Sequence, residues 1–322
     1  WADQESVADW FPSTSNQAGF LRLSSGSTIV TAVQTRQEIF VLTDSSAYSL
    51  QYVGPPYNWT AQLMSDTISI VGYNAAAYAS GVVYWMGVDK FYVYDGRVQT
   101  LNCDLRRYIF SDINQQQYQQ VICGTNEGFN EVWWFYCSKD SVVIDKYVIF
   151  NHLEQTWYYG TLSRTAWDDS PLRQFPMAAG YNGQLIYHED GVDDGTTTPA
   201  SPIVSYCQSS DFDIGDGHNF GFVWRIIPDV TFDGSTVNAP YVTFTVRPRQ
   251  NPGANYGSTD NPDVISAQNY TNQQTYNVQQ FTEYAYVRIR GRQMAFKISS
   301  SDLGVSWQLG TPRLDVRADG RR

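Results

Sequence analysis

Val132-Trp133-Trp134-Phe135-Tyr136-Cys137 is a run of six apolar residues, four of them aromatic, followed at once by Ser138. A run this short and this rich in aromatic residues, bounded by turn formers, reads as a strand. Working outward, the same kind of segment recurs as Ile39–Asp44 (IFVLTD), Val82–Gly87 (VVYWMG) and Leu185–Asp190 (LIYHED). The four starts lie 43, 50 and 53 residues apart. Repetition at a 40–50 residue period is the mark of a propeller blade, a small sheet that cannot bury both its faces alone.

The composition agrees. The chain has 322 residues, room for two or three domains, with 42% hydrophobic, 15% aromatic and only 16% charged residues. The usual charged share is about 25%. Few Lys and Glu with many aromatics disfavour helices and favour strands. The chain reads as all-β. No apolar run approaches the ~18–20 residues of a membrane helix, so no membrane insertion is expected. No secretory signal is visible. Position 1 is Trp, and Trp1-Ala2-Asp3 reads as the end of a strand. The expectation is that a preceding segment completes another blade. Cys103, Cys123, Cys137 and Cys207 form no CxxC pair, which argues against a zinc site, and Cys137 reads as a small buried hydrophobe.

Ile29–Val33, Ile39–Thr43 and Tyr48–Val53 read as one blade, closed by the Gly54-Pro55-Pro56 turn. In the next, Gly87-Val88-Asp89 and Asp95-Gly96 are turn signals around Phe91–Tyr94. Leu105, Tyr108, Ile109 and Ile113 have helical spacing, so a short helix or inserted loop is expected near 104–120. Glu131–Cys137, Asp145–Asn151 and Gln155–Thr161 make a third blade, and residues 174–189 a fourth; Phe20–Leu23 looks strand-like. Gly195–Pro202, polar and with two prolines, is the linker candidate. The expected organisation is a β-propeller over 1–200, its blade count left open at the N-terminus, then a β-sandwich-like domain over 203–322. In the latter, Tyr241–Arg247 alternates as a half-buried strand, Tyr286–Arg290 and Gln293–Ile298 look like a hairpin around Gly291-Arg292, and Asn251–Thr275 reads as a long exposed loop.

The net charge of −11 is unevenly placed. Arg288 to Arg322 carries eight basic and three acidic residues, whereas Tyr187 to Asp233 carries nine acidic residues and one Arg. An acidic body repels phosphates, which suits a surface that DNA slides past without sticking. Arg288, Arg290 and Arg292 share one strand parity and make a basic stripe, with Arg247 and Arg249 as an extension. Such a stripe is either a solvated strand face or an interface for an acidic neighbour, because Arg forks pair with carboxylates. Asp211, Asp213 and Asp216, among glycines and next to His218, are read first as a turn and second as a hard-cation site. His188–Gly195 is another acidic turn. Three histidines and no activated Ser or Cys motif leave no catalytic residue to name; no enzyme and no cofactor is expected.

Further stretches carry a resemblance: Trp1–Glu5 with Ala8–Pro12, Val83–Phe91, Asp211–His218, Arg290–Met294, Trp307–Gly310 and Arg313–Arg317. They resemble the tail nozzle proteins of short-tailed bacteriophages, also called tail tubular protein B, whose functional counterparts are the packaged-DNA stabilisation proteins. The resemblance covers essentially the whole chain. It implies a structural protein of the virion, assembled in the host cytoplasm as a hexameric ring below the portal and adaptor. It also implies propellers around a channel that retains packaged DNA and lets it pass at infection. The implied partners are further copies of the chain, the tail adaptor, tail fibre or needle proteins, and transiting double-stranded DNA bound without sequence specificity. The runner-up is a carbohydrate-binding or glycoside-cleaving propeller acting at the host surface. That reading calls for exposed tryptophan beside carboxylates, with Trp157 or Trp167 near Asp168 and Asp169 as its candidates.

Overall fold

Three of the four aromatic strands are inner members of short antiparallel meanders. The computed structural model describes residues 1–213, 217–252 and 273–320. Its residues group into two units, Trp1–Asp190 and Gly191–Arg322. The described chain is almost wholly β, organised in the first unit in a propeller-like series of sheets.

The first sheet runs β1 (Ile29–Gln34), β2 (Ile39–Thr43), β3 (Ala47–Gly54), β4 (Asn58–Ser65). The second runs β5 (Ala76–Ala79), β6 (Val82–Met86), β7 (Phe91–Tyr94), β8 (Val98–Leu101). The third runs β9 (Ile122–Asn126), β10 (Glu131–Tyr136), β11 (Lys146–Asn151), β12 (Thr156–Thr161). A shorter sheet follows, β13 (Ala166–Asp168), β14 (Met177–Ala179), β15 (Leu185–Tyr187). In each, sequence neighbours pair as antiparallel neighbours. The segment near 104–120 folds as α1 (Arg106–Asp112) and a 3-10 stretch, Gln115–Gln120.

Successive sheets meet along their first strands: β1 lies against β5, β5 against β9, and β9 against β13. Cys123 N–H donates to Asn74 O at 2.6 Å, and Asn74 and Ile122 form a parallel bridge. Aromatic rings fill the seams. Phe40 of β2 stacks on Tyr94 of β7 at 4.1 Å, and Phe91 of β7 meets Trp134 of β10 at 4.9 Å and Trp157 of β12 at 4.7 Å. Trp133 of β10 stacks on Trp167 of β13 at 5.1 Å. Gly124 makes that last approach possible, since a Cβ there would collide with the Trp167 indole. Trp85, Trp134, Phe91 and Phe40 are fully buried. Each such ring removes ~150–250 Å² from water and gains further from ring–ring geometry.

Three expectations need correction in this unit. The fourth aromatic segment is offset: Leu185–Tyr187 is the third strand of its sheet, and Leu185 and Tyr187 are exposed. Trp167, on the first strand of that sheet, supplies the seam contact instead. Trp1–Asp3 and Phe20–Leu23 are not strands. No neighbour offers them a ladder; the terminal amine of Trp1 donates to Gly19 O at 2.7 Å and its indole N–H to Gln17 O at 2.6 Å.

In the second unit the linker candidate is the turn of a small hairpin, β16 (Asp193–Asp194) with β17 (Ser201–Pro202). One sheet joins β18 (Ser205–Gln208), β25 (Gln293–Ser300), β22 (Tyr241–Arg249) and β23 (Gln274–Gln279), with β19 (Phe212–Asp213) also on β25. A second places β20 (Gly221–Ile227) between β24 (Ala285–Gly291) and β27 (Arg313–Ala318). A third pair is β21 (Val230–Thr231) with β26 (Gln308–Leu309). The inward residues of the two larger sheets, including Val223, Ile226, Phe244, Val287, Ile289 and Phe296, form one core. That is the arrangement of a sandwich.

The expected hairpin at Gly291-Arg292 is a correction of another kind. β24 pairs with β20, and β25 pairs with β22, so the chain crosses there from one sheet to the other. Arg292 N–H donates to Arg249 O at 2.8 Å, and a Cβ on Gly291 would press on Pro248 at 2.9 Å. Glycine lets the corner close. Of the loop expected over Asn251–Thr275, residues 253–272 lie outside the described residues, and Thr275 belongs to β23.

The seam rings make the first quantitative expectation. Trp134→Ala should lower unfolding stability by about 3–5 kcal/mol, the range for emptying a buried aromatic site. Phe281→Ala, at a residue 89% exposed, should stay within about 0.5 kcal/mol. Denaturant titration of both variants checks the contrast.

Candidate interaction surface

The outward face of the β24–β20–β27 sheet is built from arginine and aromatic side chains. Alternation on β24 sends Val287 and Ile289 into the core and leaves Tyr286, Arg288 and Arg290 outward. On β27 the same parity exposes Arg313 and Arg317 and sets Asp315 between them. The central strand breaks alternation. Against β27 the register of β20 shifts between Val223 and Arg225, so Trp224 is the extra residue of a bulge there; against β24 the extra residue lies on β24, between Tyr286 and Ile289. Trp224 and Arg225 therefore stand together on the outer side, between buried Val223 and Ile226.

Cross-strand pairing sets the rows of this face. Phe222 faces Arg290 on one side and Arg317 on the other; Arg225 faces Tyr286 and Asp315. The guanidinium of Arg225 lies 4.6 Å from the Trp224 ring centroid and 4.5 Å from that of Tyr284, and Arg317 covers Trp224 from 5.0 Å. Arg290 and Arg292 share Phe220, at 4.1 and 4.9 Å. Each contact is worth ~0.5–1 kcal/mol at exposed sites and holds a long side chain in place. Arg225 donates to Asp315 Oδ2 through Nε at 2.6 Å, and Arg290 pairs with Asp319. Among the described residues no carboxylate pairs with Arg288, Arg313 or Arg317. Five arginines against two carboxylates make this sheet face positive in a chain of net charge −11.

Of the expected stripe, Arg288 and Arg290 lie on this face and Arg292 sits at the corner beside it. Arg247 and Arg249 belong to the other sheet; Arg249 pairs with Asp211 at 2.8 Å, and Arg247 donates to Gln208 at 3.3 Å. Trp224, Arg225 and Arg317 complete the face: strict alternation cannot reveal the bulge that sets the first two, and Arg317 joins them through a pairing of β27 with β20 that links residues far apart in sequence. In the cation turn, Asp211 is engaged by Arg249 and Asp216 lies outside the described residues. Among the described residues no group of three or more His, Cys, Asp or Glu is placed to hold a metal ion.

The first unit carries the opposite charge, with nineteen carboxylates against ten cations. Several converge where β9 ends. Glu127 N–H donates to Asp169 at 2.7 Å, and Asn126 Nδ2 donates to Glu189 at 3.2 Å. Glu131, paired with Asn126 across the ladder, accepts from the Trp133 indole at 2.9 Å. Burial pushes the Glu131 carboxyl above its ordinary range despite that hydrogen bond, and the charge of Glu189 adds to the push. Desolvation likewise raises Glu189, whose carboxyl is turned toward Asn126. Both groups are thus penalised for being charged where they stand.

The tryptophans proposed for sugar stacking are part of the sheets' own packing. Trp157 packs on Phe91 and Phe150 and donates its indole N–H to Asn102 O at 2.9 Å. Trp167 lies on Trp133 and donates to Thr125 O at 2.7 Å, while Asp168 binds Arg173 at 2.6 Å. A cleft of about 510 Å³ elsewhere in the unit is lined by Glu38, Ser49, Gln51, Tyr78 and Tyr94. Burial alone would raise the Glu38 carboxyl, but hydrogen bonds from Ser49, Tyr94 and Gln51 hold it below its usual value. The thiol of Cys137 is buried, and desolvation pushes it up to about 11, leaving it inert at neutral pH.

No family model matches the chain, and no curated protein matches it either. Among solved structures it is similar to the N-terminal domain of Nup159, at 8% identity with a TM-score of 0.27; the match covers 82% of this chain and 61% of that one. It is also similar to an exo-β-1,3-galactanase from Phanerochaete chrysosporium solved with galactose, at 9% identity with a TM-score of 0.25, covering 86% and 77%. At these scores neither likeness bears on what the chain does.

The carboxylate pair yields a pH expectation. With its folded pKa raised, each group keeps its proton in the folded chain at pH values where the unfolded chain has released it. Stability therefore falls as pH rises through that window. Glu131→Gln and Glu189→Gln retain the hydrogen-bond acceptor and remove the charge. Both should raise the melting temperature at neutral pH and leave it unchanged in acid, below the carboxylate range. Melting curves at the two pH values test this; an equal shift at both would count against the charge penalty.

Proposed function

We propose that the chain is a structural virion protein, one protomer of a tail nozzle ring of a short-tailed bacteriophage. In this reading the ring retains packaged DNA and forms the channel for its ejection. The carrying observation is that the indole-rich strands are spent on seams between sheets, while arginine, tyrosine and apolar side chains face outward. The Tyr52, Val53 and Tyr57 region around the β3–β4 turn is exposed, as are Trp224's neighbour Tyr286 and Phe281. Exposed apolar side chains of this kind suit contact surfaces, which a ring protomer needs on two sides. The net negative charge suits transit of double-stranded DNA without capture. Partners would be further copies of the chain, the tail adaptor, and tail fibre or needle proteins. The protein would work by position, with no reaction and no cofactor.

One observation favours a carbohydrate-binding or glycoside-cleaving propeller at the host surface. The Glu38 cleft sets a carboxylate, a hydroxyl and an amide side by side, the groups that bind vicinal hydroxyls.

Native mass spectrometry with negative-stain class averages separates the two. A six-fold ring, alone or on addition of adaptor protein, is the expected result. A stable monomer that ignores the adaptor and binds a glycan array would overturn the nozzle reading.

A further inference from the structure

We infer that the arginine–aromatic face of the β24–β20–β27 sheet docks on the carboxylate cluster at the end of β9 in a second copy of the chain. The inference rests on the ring reading above and deepens it, because it names both halves of the subunit contact.

The two surfaces are complementary in chemistry. One presents Arg288, Arg313 and Arg317 with Trp224 and Tyr286. The other presents Asp169 on the Glu127 backbone N–H and Glu189 on Asn126, with Glu131 behind them and the Glu127 carboxylate beside Ser80 Oγ at 3.3 Å. Each surface is too rich in one sign for its own good. Burial pushes the Glu131 and Glu189 carboxyls upward in pKa, the charge of Glu189 adds to the push on Glu131, and guanidinium groups brought near would relieve that penalty. Ring stacking holds Arg317 and Arg225 in place before any partner arrives, so less side-chain entropy is lost on binding. Arginine, tryptophan and tyrosine are also the residues enriched at the energetic centres of interfaces.

The geometry of the pairing has a consequence for assembly. The basic face belongs to the second unit and the acidic cluster to the first. A contact between different patches is heterologous, so each copy keeps one free half after each addition. Such a contact closes into a ring when the rotation per copy allows it. Nucleic acid is the rival occupant of an Arg–aromatic face, since bases stack on rings and phosphates pair with arginine.

The test is a charge swap in the full chain. Arg288→Glu with Arg317→Glu reverses one face; Glu127→Arg with Glu189→Arg reverses the other. Sedimentation velocity at low salt is expected to show self-association of the wild type. Each reversed protein should associate roughly tenfold more weakly or worse, the effect of an interfacial charge mismatch. A chain carrying all four substitutions should recover association, a rescue that a folding defect cannot produce. Circular dichroism melting confirms that each variant folds. Rings that persist in both reversed proteins would overturn this contact while leaving the nozzle reading intact. A wild type that stays monomeric at low salt would overturn it too, and incorporation into adaptor-bound particles would then judge the nozzle reading separately. Fluorescence anisotropy with a labelled DNA duplex completes the test: binding lost in R288E/R317E, with self-association unchanged, would assign the face to nucleic acid instead.

Discussion

A meander of four short strands has two apolar faces and nothing of its own to cover them. In the first unit this constraint is met by rings that reach across from one sheet to the next: Phe40 onto Tyr94, Phe91 onto Trp134 and Trp157, Trp133 onto Trp167. No single sheet would persist without its neighbour, so the series of sheets stands or falls together. The same constraint explains why tryptophans that look available in the sequence are unavailable for a ligand. Their faces are occupied, and their indole N–H groups are satisfied by backbone carbonyls such as Ala75 O and Thr125 O.

The second unit meets burial differently, with two sheets closing over one core. Its outer character follows from two local departures from regular strand structure. The bulge at Trp224 against β27 puts an aromatic ring and Arg225 side by side where alternation would bury one of them. The corner at Gly291 sends β25 into the opposite sheet and leaves Arg292 beside Arg290 over Phe220. A bulge and a glycine corner thereby turn a sheet surface into a concentrated basic patch.

Charge is divided in a way that matters more than its sum. At the end of β9 burial penalises two carboxylates for ionising, with the charge of Glu189 adding to the penalty on Glu131, and arginines crowd a sheet whose own carboxylates are too few to neutralise them. Isolated surface ion pairs contribute little to folding. Unpaired concentrations of like charge are better understood as surfaces that favour an oppositely charged partner.

Much of this was legible in the linear chain. The strands Ile39–Thr43, Val82–Met86, Phe91–Tyr94 and Glu131–Tyr136 follow from apolar runs bounded by turn residues, and the helix at Arg106–Asp112 from its spacing. Arg288 and Arg290 were placed on one face by parity alone. What remained hidden depends on partners distant in sequence. Leu185–Tyr187 has the composition of a core strand, yet its place at the edge of a three-stranded sheet leaves it exposed. Tyr286–Arg290 and Gln293–Ile298 look like a hairpin because they are adjacent, but which strand each pairs with is set by β20 and β22. Asp169 meets the Glu127 N–H, and Glu189 the Asn126 side chain, only when β9 and the last sheet of the unit come together. Local residue order determines which segments are strands and which way their side chains alternate. Only tertiary structure decides which faces are covered, because burial and charge crowding depend on neighbours that the chain brings from far away.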